Sequence, residues 1–252
     1  MDEIYGMLKD TLRLMMFLLS SILCVQAQTT QAETPYSEEE LLGQFDAASH
    51  SDFAVIPGAY TKKTEIYLRK AVLTAFESMW KAAKSDGLHL EIISATRSFS
   101  AQRSIWNRKW NAPRFMGFQA ADRAREILRY SSMPGTSRHH WGTDIDLNSL
   151  ENEWFETPPG SHIYAWLNSN AAEFGFHQVY TNKSKGRTGY EEERWHWSYL
   201  PLAETMWEQY CGNFNDSMMQ GFEGSEWADT LLIMQNYVQG IEAHSVTKRQ
   251  LE

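Results

Sequence analysis

Three features of this 252-residue sequence predict an α+β fold, with an antiparallel sheet flanked by helices. Between Thr64 and Lys84 apolar side chains recur every three to four residues, as one face of an α-helix requires. Over Gly142–Leu147 the pattern changes to strict alternation, the mark of a half-buried strand. Helical and strand patterns are then mixed without the regular βαβ order of a parallel sheet. Hydrophobic residues make up 42% of the chain, enough for a packed core.

Taken in order, the chain opens with an export signal. Leu14–Val25 is an apolar run preceded by Lys9 and Arg13, and Val25-Gln26-Ala27 offers a cleavage site before Gln28. Twelve residues fall short of the roughly 20 that span a bilayer, so no stable membrane span is expected after cleavage. Asp2, Glu3 and Asp10 weaken the basic flank, and a start at Met7 would leave a cleaner one. Cys24 follows Leu23, which is bulky for a lipidation site, and this argues against a lipid anchor. The polar residues 28–40 read as the start of a loose lead-in, taken to extend through residue 63.

The 64–84 helix presents Leu68, Ala71, Val72, Ala75, Phe76, Met79 and Ala83 on one side, and Gly87 stands where a C-terminal cap glycine belongs. Leu88–Ile93 alternates as a strand. Ser100 is the expected N-cap of a helix reaching Trp110, and a third helix is expected over Asp122–Tyr130. Residues 131–141 read as a loop leading into the 143–147 strand. A helix over Ser161–Phe174 should stop at Gly175, followed by a strand to Tyr180, a polar turn over 182–189 and a strand over Arg194–Tyr199. Beyond Pro201 the chain turns helical again, most strongly over Ser225–Ile241.

Net charge narrows the function. A net charge of −9 argues against a nucleic-acid partner, whose phosphates would call for a basic face. Loss of residues 1–27 would leave Cys211 as the sole cysteine, so an internal disulfide is excluded in the mature chain. Ten Trp and eleven Tyr are numerous, but as core residues they need no ligand to explain them.

The chemistry sits in two segments, Ser137-Arg138-His139-His140-Trp141-Gly142-Thr143-Asp144-Ile145-Asp146 and Glu193-Arg194-Trp195-His196. His139, Asp146 and His196 supply two imidazoles and a carboxylate, a set that suits zinc and leaves a fourth position open. Gly142 permits a bend or close backbone approach between His139 and the strand. Strand parity aims Asp144 and Asp146 to one side, opposite Thr143, Ile145 and Leu147. Glu193 is the candidate general base. In a regular strand it would point away from His196, so the backbone must bend or bulge there. Arg97, after the 88–94 segment, offers a planar fork suited to a substrate carboxylate.

The order Ser-x-x-Arg-Ser-Phe-x-x-Gln, Ser-x-His-x-x-Gly-x-x-x-Asp, Glu-x-Trp-His resembles the VanY-type zinc D-alanyl-D-alanine carboxypeptidases, from about Leu68 to Leu200. The resemblance implies a hedgehog/DD-peptidase-like fold over 64–200 with one catalytic zinc ion. Residues 201–252 would be a helical extension packed on that core. His139, Asp146 and His196 match the family's metal ligands, Glu193 its catalytic base and Arg97 its substrate-anchoring arginine. Ser137, Gln102 and Trp195 match positions beside the substrate. The implied partner is the peptidoglycan stem peptide ending in D-alanine, reached by export to the periplasm or cell envelope.

Asp144 departs from the small residue of many members and is expected to orient a ligand from behind. His140 is expected to be a neighbour of the site rather than a fourth ligand. Cross-link endopeptidase, L,D-carboxypeptidase and non-catalytic zinc module stay open as alternatives to the D,D-carboxypeptidase.

Overall fold

A computed structural model of the chain describes residues 35–242. The expected export signal of residues 1–27, with its cleavage site and Cys24, lies outside the described residues. Among those described, no helix is long and apolar enough to cross a membrane.

The segment expected to be a loose lead-in carries regular elements from Ser37 onward. Helix α1 (Glu38–Leu42) opens on a capping box: the Ser37 hydroxyl accepts from the Glu40 amide, and the Glu40 carboxylate accepts from the Ser37 amide. Strand β1 (Phe53–Val55) pairs antiparallel with β2 (Tyr67–Arg69). Buried Arg69 ties the segment down, bonding Glu40 at 2.8 Å and the Trp141 carbonyl at 2.7 Å. Within that polar run, Ser37–Glu40 form a helix N-terminus, and Glu40 pairs with Arg69 and His50.

Helix α2 (Lys70–Ser85) starts six residues later than expected, because β2 occupies the positions before it. It buries Val72, Phe76, Met79 and Ala83, one face at helical spacing. Its end is a Schellman motif with Gly87 at φ +78°: Leu88 N–H donates to Ala83 O, and Gly87 N–H to Lys84 O. Helix α3 (Phe99–Trp110) is capped by Ser98, whose hydroxyl accepts from Ala101 N–H. The expected cap, Ser100, lies inside the first turn. Helix α4 spans Ala120–Ile127 and α5 spans Gly160–Asn170.

Four antiparallel strands form the sheet that carries the candidate site, in the order β3 (Ile92–Ser94), β4 (Asp144–Leu147), β6 (His196–Tyr199), β5 (Phe176–His177). Asp146 lies opposite His196, and Asp144 opposite Ser198. Alternation sends Ile145, Leu147 and Trp197 into one core with α2 and α5. Asp144, Asp146, His196 and Ser198 take the other face, which is buried as well.

Helix α6 (Leu200–Asn213) follows β6 directly. The long helix expected over Ser225–Ile241 is instead broken into a four-residue helix, α7 (Ala228–Leu231), and a π turn over Met234–Val238. Leu232 between them sits at φ +50°, and the Asp216 carboxylate takes the Met234 N–H. Ile233, Met234, Val238 and Ile241 pack into a second core with Trp106, Val179 and Met206.

Candidate metal centre

His139 stands on a 3₁₀ turn (Arg138–Trp141) that closes at Gly142, φ +70°. A Cβ at Gly142 would lie 2.3 Å from the Phe53 ring, so only glycine fits this approach to β4. One ligand atom each from His139, Asp146 and His196 falls within 4.8 Å of the others, and all three residues are buried. His139 Nε2 and His196 Nδ1 each lie 3.2 Å from Asp146 Oδ1. A tetrahedral ion with bonds of 2.0–2.1 Å would set such atoms about 3.3 Å apart.

The remaining nitrogens fix which atoms face inward. His139 Nδ1 lies 2.9 Å from the Ala95 carbonyl, which can only accept, so Nδ1 carries the proton and Nε2 presents its lone pair. His139 Nε2 is a buried atom without a hydrogen bond; its approach to Asp146 is close but poorly aligned. His196 Nε2 is engaged by Asp144 Oδ2 at 2.8 Å, which leaves Nδ1 for the centre. Two nitrogen donors, each held from behind and one of them unsatisfied, with a carboxylate between them, fit a divalent ion such as zinc.

Charge is tightly balanced around these groups. Burial would raise the Asp146 carboxyl, but His139 and His196 outweigh it and hold it well below the usual range. Burial would lower His196, yet its hydrogen bonds to Asp144 and Asp146 prevail and push it up to about 9. Burial, helped by Arg97, lowers His139 from its ordinary value.

Asp144 accepts from four donors: Arg138 Nε (2.9 Å), His196 Nε2, Ser198 Oγ (2.9 Å) and Thr143 Oγ1 (2.6 Å). Arg138 was not singled out in the sequence. It is buried and also donates to Ser198 Oγ at 2.6 Å, so it neutralises the extra carboxylate that Asp144 introduces.

Glu193 reaches the same centre by a turn rather than a bulge. The strand expected from Arg194 starts only at His196, and His196 N–H donates to Glu193 O across residues 193–196. This reversal brings Glu193 Oε2 to 3.7 Å from His196 Nδ1. Burial raises the Glu193 carboxyl to about 7, against the pull of His196. Arg97 Nη2 lies 3.6 Å from Asp146 Oδ2, and its Nη1 donates to Gln102 Oε1 at 2.8 Å.

A cleft of about 780 Å³ opens on these groups, lined also by Ser137, Trp195, Tyr130 and Tyr180. Tyr180, which the sequence did not single out, stacks tilted on His196 at 4.7 Å. Gln102, expected beside the substrate, is fully buried instead. Its oxygen holds Arg97 and its nitrogen donates to Ser132 O at 2.7 Å, so it acts on the cleft through Arg97. Both ring nitrogens of His140 are used, Nδ1 on Arg97 O and Nε2 on Gly135 N–H, which leaves none for a metal.

The sequence and the fold both have known relatives. A family profile described as VanY, D-alanyl-D-alanine carboxypeptidase, matches residues 65–202, more than half of the chain. A D-alanyl-D-alanine carboxypeptidase of Enterococcus faecalis is 28% identical over 126 residues, covering 50% of this chain and 46% of that protein. Another, of Enterococcus faecium, is 26% identical over 143 residues, covering 56% and 40%. The chain thus spans less than half the length of these curated relatives. Among solved structures, the LdcB LD-carboxypeptidase aligns with a TM-score of 0.50 at 22% identity, over 79% of this chain and 81% of that one. That likeness is one of fold: helices around small antiparallel sheets, hedgehog-like, as expected from the sequence.

Proposed function

Because the chain belongs to the VanY D-alanyl-D-alanine carboxypeptidase family, we propose that it is an exported zinc D,D-carboxypeptidase trimming peptidoglycan stem peptides that end in D-alanine. The observation that carries this reading is the meeting of His139, Asp146 and His196 with Glu193 on one wall of a cleft. His139 Nε2, an Asp146 oxygen and His196 Nδ1 would hold one zinc ion. That ion supplies Lewis acidity toward a carbonyl and acidifies water.

The chain's own groups do the rest. Glu193, poised near neutrality by burial, takes a proton from the attacking water at Oε2 and returns it to the leaving amine. Arg97, held by Gln102, binds the terminal carboxylate with its paired donors. That grip makes the enzyme a trimmer of free ends. Asp144 and Ala95 O keep the two histidines in the tautomers that face the centre. Ser137 and Trp195 line the place of the peptide. The apolar run and cleavage site of residues 14–27 support export to the periplasm or envelope, where such peptides are met.

Mass spectrometry of free-ended pentapeptide and cross-linked dimer, each incubated with zinc-loaded protein, tests the proposal. Loss of one D-alanine from the free-ended peptide is the expected product, abolished by chelator. Cleavage of the dimer alone would assign an endopeptidase, and no product from either would overturn the reading.

A further inference from the structure

The cleft carries a charge pattern that the proposed chemistry does not use. In a chain of net charge −9, Arg108, Lys109 and Arg114 join Arg97 among its lining residues. Among the described residues no carboxylate forms an ion pair or hydrogen bond with any of these three; the Arg114 guanidinium lies over the Phe115 ring, 4.7 Å from its centroid. Lys109 is half-buried. Burial and the charges of Arg114, Arg97 and Arg108 hold its ammonium below the ordinary range, with Glu193 pulling the other way. Such crowding of like charges is unfavourable unless an anion joins it. Of the acids lining the same cleft, Asp146 and Glu193 belong to the centre described above, and Glu151 and Glu153 come from beyond β4; none pairs with any of the three.

Position gives the anion a register. Gln102, Ile105 and Lys109 recur at three- and four-residue spacing on one side of α3. Gln102 holds Arg97, while Ile105 and Lys109 line the cleft. Seven residues of helix place Lys109 about 10 Å beyond Gln102. An extended peptide advances roughly 3.3–3.6 Å per residue, so that span is about three residues. We propose that Arg108, Lys109 and Arg114 form a second anion subsite, selecting peptides with a side-chain carboxylate about three residues before the free carboxyl end. The register rests on the reading above in which Arg97 holds that end.

Two peptides test this, N-acetyl-X-Ala-D-Ala-D-Ala with X either D-glutamate or its uncharged partner D-glutamine. With zinc-loaded wild-type protein at low ionic strength, kcat/KM should favour the glutamate peptide by about tenfold, and salt should shrink the ratio. In the Lys109→Gln/Arg114→Gln double variant, checked for fold by circular dichroism, the ratio should fall to near one. A wild-type ratio near one, or a preference that survives in the variant, would overturn the subsite. If neither peptide is cleaved, the carboxypeptidase reading fails, and the subsite is then read from binding alone. In that case calorimetric titration of both peptides into Glu193→Gln protein decides. Tighter binding of the glutamate peptide, lost on adding the double substitution, upholds the subsite; equal affinities or no binding refute it.

Discussion

Replacing Asp144 by Asn removes one buried charge while keeping the side-chain volume, and its consequences follow from four contacts. Arg138 Nε and His196 Nε2 both point at Oδ2, while Thr143 Oγ1 and Ser198 Oγ point at Oδ1. An amide with its oxygen toward Arg138 and His196 can still donate its nitrogen to the two hydroxyls, so what the change removes is the charge. The Arg138 guanidinium, 4% exposed, would be left without its counter-charge. Breaking a buried ion pair from one side costs about 3–5 kcal/mol. At roughly 2–4 °C per kcal/mol for a domain of this size, the melting temperature should fall by about 6–20 °C.

The same change leaves the His196 ring an uncharged acceptor, and loss of such a supporting carboxylate typically weakens metal binding about 10–100-fold. Adding Arg138→Met should recover part of the stability, with a coupling of about 1–3 kcal/mol, but none of the metal affinity. Burial acts to raise the Asp144 carboxyl, yet Arg138 and His196 hold it below its ordinary range. Its contribution is therefore complete above the ordinary carboxyl value of about 3.9 and fades only as pH falls below it. Thermal melts at pH 7 with and without zinc, and a competition titration against a chromogenic chelator, measure both effects. If Asp144→Asn melts within about 2 °C of wild type and keeps zinc affinity within about threefold, the proposed role of this network is wrong.

Three further outcomes follow. Glu193→Gln should retain zinc at wild-type stoichiometry, measured by atomic emission, while kcat falls about 10²–10⁴-fold; near-normal turnover would remove Glu193 from its role. Metal-free protein at pH 8 carries a proton on His196, whose value is raised to about 9, and the metal requires the Nδ1 lone pair. Zinc titrations in buffers of different ionisation enthalpy should thus report release of about one proton at that pH, and none would contradict the raised value of His196. Burial lowers His140 to about 3, so its stabilising contribution is present above the ordinary histidine value of about 6.5 and is lost as pH falls toward 3. His140→Gln should flatten the fall of melting temperature across that window, and an unchanged slope would refute the assignment.

What could be read in the sequence depended on how local its physics is. The parity of β4 is a two-residue period, so the shared face of Asp144 and Asp146 follows from alternation alone. Glu193 resisted the same logic because a single hydrogen bond, His196 N–H to Glu193 O, turns the chain just before the strand begins. Gln102 looked available to substrate because nothing nearby in sequence reveals Ser132 O, thirty residues on, taking its amide. Arg138 gains its meaning only from Asp144 and Ser198, the latter sixty residues away. The Ser225–Ile241 periodicity is real in its buried positions, yet it could not anticipate the Asp216 carboxylate capturing Met234 N–H or the left-handed Leu232. The helix at Glu38 did have a local sign, Ser37 followed three residues on by Glu40, hidden within a polar run.

The most direct test is anomalous diffraction at the zinc edge from crystals of the metal-loaded protein. One ion should lie about 2.0–2.2 Å from His139 Nε2, an Asp146 oxygen and His196 Nδ1, with Glu193 beside it but outside the coordination shell. An ion bound through His196 Nε2, ligated by Glu193, or absent from this cleft would contradict the account.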